Sequence, residues 1–184
     1  MSTQLFINAH IATGMPGSTA AETAAIQDIL VEDGKFISIA PHLKATLEAQ
    51  GKDMASVEVV DLGGKLVCPP FCDTHLHLDY VFTARKPGAV NESGTLFEGI
   101  QRWSETKADL TVDEIKERAK IGIAKEMRHG VQFIRSHADV TDPNLTSLKA
   151  LLELKEELKD TVTLQIVSFP QEGMYSYEGP HGES

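Results

Sequence analysis

Hydrophobic and polar positions alternate in short runs through the first part of the chain. Ile26–Glu32 and Lys35–Ala40 have the two-residue period of strands, and the Asp33-Gly34 pair between them suits the positive φ angles of a two-residue hairpin turn. Residues 5–11 have the same strand pattern. Residues 1–64 are therefore predicted to form a small β unit.

From residue 65 onward, apolar runs typical of buried strands alternate with segments of helical period. This order predicts parallel strands joined by right-handed crossovers, and so an α/β fold. The predicted elements, in the order strand, helix, helix, strand, helix, strand, are residues 65–72, 96–103, 111–129, 131–137, 145–159 and 161–170.

Composition and charge narrow the class of protein. Of the 184 residues, 41% are hydrophobic and 24% are charged, as in ordinary globular proteins. A net charge of −10 disfavours binding to nucleic acid or to an anionic membrane. With no long apolar run and no basic N-terminal region, a cytoplasmic protein is the default expectation. Cys68 and Cys72 lie on a predicted strand, and we interpret both as small buried hydrophobes.

Candidate chemistry appears where the first of these apolar runs ends. His75 and His77 are two residues apart, so on a strand their side chains point to the same side. Neutral imidazole nitrogens bind divalent metals at about 2.0–2.1 Å, and the end of a strand is where α/β barrels have their active sites. This position favours a metal site over two ordinary histidines near a turn.

A second polar row ends the next predicted strand. Arg135, His137 and Asp139 alternate there, which is typical of an active-site rim. Two interpretations remain open: these side chains contact a substrate, or Arg135 and Asp139 pair with each other and hold the strand end.

Several of these segments resemble the amidohydrolase superfamily of metal-dependent hydrolases and deaminases. Its opening signature resembles DLGGKLV at 61–67 and PFCDTHLH at 70–77. Three further segments are similar to the bacterial cytosine deaminases, in the same order and at similar spacing: SGTLFEGI at 93–100, RSHADV at 135–140 and FPQEG at 169–173. The resemblance covers essentially the whole chain.

The resemblance implies a metal-dependent hydrolase-type (β/α)8 TIM barrel preceded by a small β-sandwich unit. Residues 1–64 are then the N-terminal part of the β-sandwich domain, and residues 65–184 are the N-terminal part of the barrel domain, with about three strands. A complete barrel takes about 250 residues. We therefore expect the chain to be the truncated first portion of a longer enzyme, inactive by itself.

The resemblance also implies a function, namely metal-dependent hydrolytic deamination of cytosine or a closely related N-heterocycle with release of ammonia. His75 and His77 would bind a divalent metal, zinc or iron. Gln171 would hydrogen-bond the amide-like edge of the ring, and Leu96 would form one wall and a backbone contact. The catalytic residues are unknown, because the acid/base glutamate and a metal-binding aspartate are expected in later strands. We expect a small-molecule heterocyclic substrate and a homo-oligomeric full-length enzyme.

Three other classes of protein could contain some of these motifs. A zinc deaminase of the nucleoside type is excluded, because His181-Gly182-Glu183 is not followed by Pro-Cys-x-x-Cys. An amidohydrolase that acts on a cyclic amide, creatinine or isocytosine stays open, because later strands would decide it. A non-catalytic fragment that lost its metal site is the third class, and metal binding that depends on His75 and His77 would argue against it.

Overall fold

A computed structural model of the chain describes residues 2–11 and 25–173 and divides into two compact units, Met1–Pro69 and Pro70–Ser184. The sequence pattern predicts the boundary between the two parts at residues 64 and 65. The assignment of the two parts to a β-sandwich and a barrel stays a prediction. Within the described ranges, none of the helices combines the length and the apolar character needed to cross a membrane. His181 lies outside the described residues.

The first unit is a mostly β structure. Its described elements are β1 (Thr3–Ile11), β2 (Ile26–Glu32), β3 (Lys35–Ala40), helix α1 (Leu43–Ala49), a 3-10 turn (Met54–Ser56), β4 (Glu58–Asp61) and β5 (Leu66–Val67). In the described part of this unit the sheet order is β3-β2-β1-β4, and β5 also pairs with β1. β4 and β5 run parallel to β1, whereas β2 and β3 are antiparallel neighbours. Asp33 and Gly34 have φ angles of 49° and 76°, so the predicted hairpin turn is confirmed.

The apolar run at 65–72 was predicted as one buried strand, and this prediction was wrong. Leu66–Val67 pair with β1 in the first unit, and the next strand begins only at Phe71, in the sheet of the second unit. Pro69 and Pro70 separate the two, because proline has no N–H to donate to a strand ladder. Cys68 and Cys72 are exposed rather than buried.

The second unit alternates strands and helices as the sequence predicts. Its described elements are β6 (Phe71–Leu76), a 3-10 turn (Thr83–Arg85), α2 (Leu96–Lys107), α3 (Val112–Arg128), β7 (Val131–Asp139), α4 (Thr146–Glu157) and β8 (Thr163–Phe169). Among the described strands of this unit, β6, β7 and β8 form one sheet in that order, and both pairs are parallel. The predicted parallel α/β arrangement is therefore confirmed for these residues.

Local chemistry explains why α3 forms and which side it buries. Thr111 precedes the helix, and its Oγ1 accepts a hydrogen bond from the Glu114 backbone N–H at 3.2 Å. Gly130 follows the helix with a φ of 86°, a conformation that glycine adopts without strain. One helical face packs into the core of the unit against α4. The central residues of this core are Ile115, Ala119, Ile123, Leu151 and Leu154.

Candidate metal centre and ligand pocket

Three histidines meet at the carboxyl ends of β6 and β7. Leu76 pairs with Ser136 across the two parallel strands, which places His75, His77 and His137 on the same face of the sheet. One ring nitrogen of each histidine lies within 4.8 Å of the corresponding nitrogens of the other two. The ring centroids of His75 and His137 are 4.2 Å apart, and those of His75 and His77 are 5.3 Å apart.

The sequence predicts His75 and His77 as metal ligands, whereas it predicts His137 only as part of an active-site rim. The signal for His137 was its place in the alternating row at the end of the next strand. The alternative that Arg135 and Asp139 pair with each other was wrong. Arg135 Nε instead donates to Gln165 Oε1 at 2.8 Å, on the neighbouring strand β8.

The protonation of His77 suits a metal ligand. Burial lowers the pKa of His77, and the nearby positive charges that His137 and His75 would carry lower it further. His77 is therefore neutral near pH 7, the form that has a free lone pair. His137 Nδ1 is buried and has no hydrogen-bond partner among the described residues. Three imidazoles suit zinc or iron, whereas magnesium and calcium prefer oxygen ligands.

Backbone hydrogen bonds hold the segment that follows His77. The Leu78 backbone N–H donates to Ser136 Oγ at 3.0 Å, which ties this segment to β7. The Arg118 guanidinium, on α3, donates to the backbone carbonyls of Asp79 at 3.0 Å and Val81 at 2.6 Å. His77 is therefore held from both the neighbouring strand and the covering helix.

Two buried aspartates lie behind the histidines. Asp79 is two residues after His77, Asp139 is two residues after His137, and Asp79 Oδ2 accepts a hydrogen bond from the Asp139 backbone N–H at 2.8 Å. Burial raises the pKa of Asp79 to about 6. Burial would also raise the pKa of Asp139, but hydrogen bonds from Thr141, Trp103 and Lys107 outweigh it and hold the pKa below its ordinary value.

The donors to Asp139 connect α2 to the end of β7. Trp103 Nε1 donates to Asp139 Oδ2 at 2.6 Å, and Lys107 Nζ donates to the same oxygen at 3.1 Å. Thr141 donates to Oδ1 through its backbone N–H and its hydroxyl, at 2.8 and 2.6 Å. Trp103 is buried, and its indole N–H anchors the helix to a buried carboxylate.

A cavity of about 680 Å³ lies over the histidines, and all four residues singled out from the sequence line it. His75 and His77 form its floor, Leu96 stands at the first turn of α2, and Gln171 lies in the turn after β8. Aromatic and aliphatic side chains supply most of the remaining wall, namely Tyr80, Phe82, Ile100, Trp103 and Phe169. In the described part of the chain, the lining contains no carboxylate that could serve as a general acid or base. An apolar cavity with a few convergent polar groups is typical of a small-molecule site.

The loop that leads into α2 is organised by Glu98. Its carboxylate accepts hydrogen bonds from the backbone N–H groups of Ser93 at 2.7 Å and Glu92 at 3.1 Å, and from the Ser93 hydroxyl. These bonds, the side-chain and backbone bonds from Ser93 first, lower the pKa of Glu98 to about 2. Thr95 Oγ1 accepts from the Glu98 backbone N–H and so begins the helix.

Comparison with known proteins relates this site to characterised enzymes. The model of the amidohydrolase family matches residues 58–184. The structure of 5-methylcytosine deaminase from Klebsiella pneumoniae liganded with 5-fluorocytosine superposes with a TM-score of 0.76 and 38% identity, over 97% of this chain and 38% of that one. N-isopropylammelide isopropyl amidohydrolase from Pseudomonas sp. strain ADP is 30% identical over 159 residues, which is 84% of this chain and 37% of that protein. Pterin deaminase from Rhizobium rhizogenes is 28% identical over 152 residues, 80% of this chain and 32% of that protein.

The chain thus spans between about a third and two fifths of the length of these relatives. Residues 58–184, which the family model matches, include both the histidine cluster and the turn that carries Gln171.

Proposed function

This chain belongs to the amidohydrolase family, and we propose that the protein containing it catalyses metal-dependent hydrolytic deamination of cytosine or a closely related N-heterocycle, with release of ammonia. The observation that carries this proposal is the cavity lined by His75, His77, Leu96 and Gln171, with His137 beside the two lining histidines. The 38% identity with a 5-methylcytosine deaminase supports a pyrimidine-like ring as the substrate.

We assign the metal to the histidine cluster. His75 and His77 would be two ligands, and His137, with its unpartnered buried nitrogen, would be a third. The chemistry that zinc or iron supplies when bound is a water molecule of lowered pKa. The hydrogen bonds that hold the segment after His77 keep its imidazole in place, which reduces the ordering cost of binding.

The heterocycle would lie between Gln171 and Leu96. The primary amide of Gln171 has both donors and an acceptor, and so matches the alternating donors and acceptors along the amide edge of a pyrimidine. Apolar side chains of Leu96, Trp103 and Phe169 line the cavity beside that edge. Hydrogen bonds to the ring are stronger in such a low-dielectric setting.

The remaining groups of the reaction belong to parts of the protein that we place in later strands. We propose that the first unit contributes to a β-sandwich domain and the second unit to a (β/α)8 barrel, in a homo-oligomer. In the described sheet of the second unit, β6 and β8 each have one neighbour, β7. Further strands beside them would satisfy the open strand edges and bring the acid/base glutamate to the cavity.

A substrate screen tests the proposed reaction. The protein that contains this chain, loaded with zinc or with iron, is incubated separately with cytosine, 5-methylcytosine, pterin and N-isopropylammelide. We expect ammonia release from cytosine or 5-methylcytosine, and its loss after the metal is removed with a chelator. Release of no ammonia from any of these heterocycles would contradict the proposal.

The same screen distinguishes the proposed deamination from two alternative reactions. Similarity to N-isopropylammelide isopropyl amidohydrolase over 84% of the chain favours hydrolysis of an N-alkyl substituent as the second candidate. That reaction would release isopropylamine rather than ammonia. A cyclic-amide hydrolase would open a ring and release neither ammonia nor isopropylamine.

The site residues are tested by substitution. His75→Ala, His77→Ala and His137→Ala should each lower the metal content and change the visible spectrum of the cobalt-substituted protein. His129→Ala removes a histidine at the end of α3 and serves as the matched control. Gln171→Ala should lower activity at unchanged metal content. Unchanged metal binding in all three cluster variants would show that the cluster is not the metal site.

A further inference from the structure

Lys107 lies where the end of α2, the end of β7 and the turn after β8 meet. It is the last residue of α2, and its side chain is only 12% exposed. Its ammonium contacts Asp139 Oδ2 at 3.1 Å, Thr141 Oγ1 at 2.6 Å and Glu172 Oε1 at 2.8 Å. An ammonium has three N–H donors, so these three acceptors use all of them. The contacts from Lys107 to Asp139 and Glu172 are called the Lys107 bridge below.

One end of the Lys107 bridge reaches the ligand pocket. Glu172 directly follows Gln171, in a turn closed by two backbone hydrogen bonds of 3.0 Å each, from Gln171 to Phe169 and from Gly173 to Pro170. Because the turn is short and closed, a contact that fixes Glu172 also fixes the position of Gln171. Gln171 lines the same cavity as His75 and His77.

The other end of the Lys107 bridge is rigid. Asp139 is 2% exposed, and it also accepts hydrogen bonds from Trp103 and Thr141. It ends β7, the strand that carries His137. The Lys107 bridge therefore joins the strand that carries part of the histidine cluster to the turn that carries Gln171.

We propose that Lys107 is a positioning residue for the substrate, which holds Gln171 at a set distance from the histidine cluster by joining Asp139 to Glu172. This inference rests on the proposed function, in which Gln171 binds the heterocycle. Lys107 itself is not part of the cavity lining, so it acts through Gln171. The geometry matters because a displacement of about 1 Å in a substrate-binding group can lower the rate on the order of 100-fold.

Four variants test the Lys107 bridge. Lys107→Met removes the ammonium and keeps most of the aliphatic stem, whereas Lys107→Arg keeps a charge that can contact both carboxylates. Glu172→Gln weakens only the contact on the pocket side, and Glu172 is partly exposed, so this variant should fold normally. Lys116→Met is the matched control, because Lys116 is 14% exposed and pairs with Glu153 and Glu157 on the helix face.

The first readout is steady-state kinetics with cytosine as substrate. We expect Lys107→Met to lower kcat/KM by about 100-fold and Glu172→Gln by about tenfold, mainly through a higher KM, because a ground-state contact is lost. Lys107→Arg should restore much of the loss, and Lys116→Met should stay within about twofold of the natural protein. Metal content should be equal in all four.

The second readout does not depend on activity. Hydrogen–deuterium exchange should rise in the turn at residues 170–173 for Lys107→Met and Glu172→Gln, and it should stay unchanged there for Lys116→Met. If the protein deaminates no heterocycle, the proposed reaction is wrong, and this exchange pattern still decides whether the Lys107 bridge positions the turn.

Two results would overturn the inference. The first is an unchanged KM together with unchanged exchange in Glu172→Gln. The second is a Lys107→Met protein that loses kcat and metal together at constant KM, which would mean that Lys107 only supports the fold.

Discussion

Two buried regions of the second unit are held together by different interactions. At the carboxyl ends of β6 and β7, the buried carboxylates have specific hydrogen-bond partners, as Asp139 has in Trp103, Lys107 and Thr141. Between α3 and α4 the buried groups are aliphatic and contact each other without direction, as Ile115, Leu151 and Leu154 do.

The difference is clearest for two lysines of nearly equal burial, Lys107 and Lys116. Both meet two carboxylates. One partner of Lys107 is a fully buried aspartate, whereas both partners of Lys116 are exposed glutamates. A buried charge that loses its partner is costly, while exposed ion pairs contribute little. Polar partners therefore fix the geometry of the candidate site. Apolar contacts elsewhere supply stability that tolerates repacking of the side chains.

The largest effect is expected when the buried carboxylate is removed. Asp139→Ala leaves Lys107 and Trp103 without their acceptor, and it should lower the free energy of unfolding by about 3–5 kcal/mol, measured in urea. Glu153→Ala removes a partner of the other lysine and should cost less than about 1 kcal/mol. Equal losses in the two variants would abolish the distinction between the two regions.

A slightly smaller effect is expected in the apolar region. Leu154 is fully buried on α4, whereas Leu152, on the same helix, is 49% exposed. Leu154→Ala should lower the free energy of unfolding by about 3 kcal/mol, and Leu152→Ala by less than about 0.5 kcal/mol. Metal affinity should stay constant in both. A change in metal affinity with Leu154→Ala would show that the two regions are coupled.

Trp103 belongs to both regions, so its substitution sharpens the comparison. Trp103→Phe keeps most of the apolar ring and removes only the N–H that donates to Asp139. We expect a loss of about 2 kcal/mol in the free energy of unfolding, because the hydrogen bond goes to a charged acceptor. In a double-mutant cycle with Asp139→Ala, most of this loss should disappear. Strict additivity would mean that the indole contributes by packing alone.

The smallest effect is expected at Glu98, whose partly buried carboxylate organises the loop that leads into α2. Its pKa of about 2 in the folded protein lies below its ordinary value of 4.5. The unfolded chain therefore binds the proton first, so the contribution of Glu98 is complete above pH 4.5 and is lost as the pH falls toward 2. Urea unfolding of Glu98→Gln should show a flatter fall in stability than the natural protein across this range. Parallel pH curves for the two proteins would contradict this role.

Local signals in the sequence predicted much of the secondary structure. The Asp33-Gly34 turn depends on neighbours within a few residues, and the structure confirms it. The helix predicted at residues 111–129 is likewise observed, as Val112–Arg128. Parallel pairing of β6, β7 and β8 also followed, because strands that alternate with helices have few other arrangements.

Sequence failed where an apolar run could join either of two sheets. Residues 65–72 satisfy the pattern of one strand, but the run is shared between the sheets of the two units. Cys68 lies between the two strands and is exposed, and Cys72, near the start of β6, is exposed as well. A pattern of hydrophobic residues predicts that a segment forms a strand, but it does not predict which strand it pairs with.

The sequence alone determined the order of the elements and placed His75 and His77 on one side of a strand, because side-chain direction follows from the local backbone. The structure decided which distant groups join them. His137 lies beside this pair because Leu76 pairs with Ser136, and Lys107 reaches Glu172 because α2 packs over the ends of two strands. These contacts depend on strand register and helix packing, which are set by the free energy of the whole core and not by neighbours along the chain.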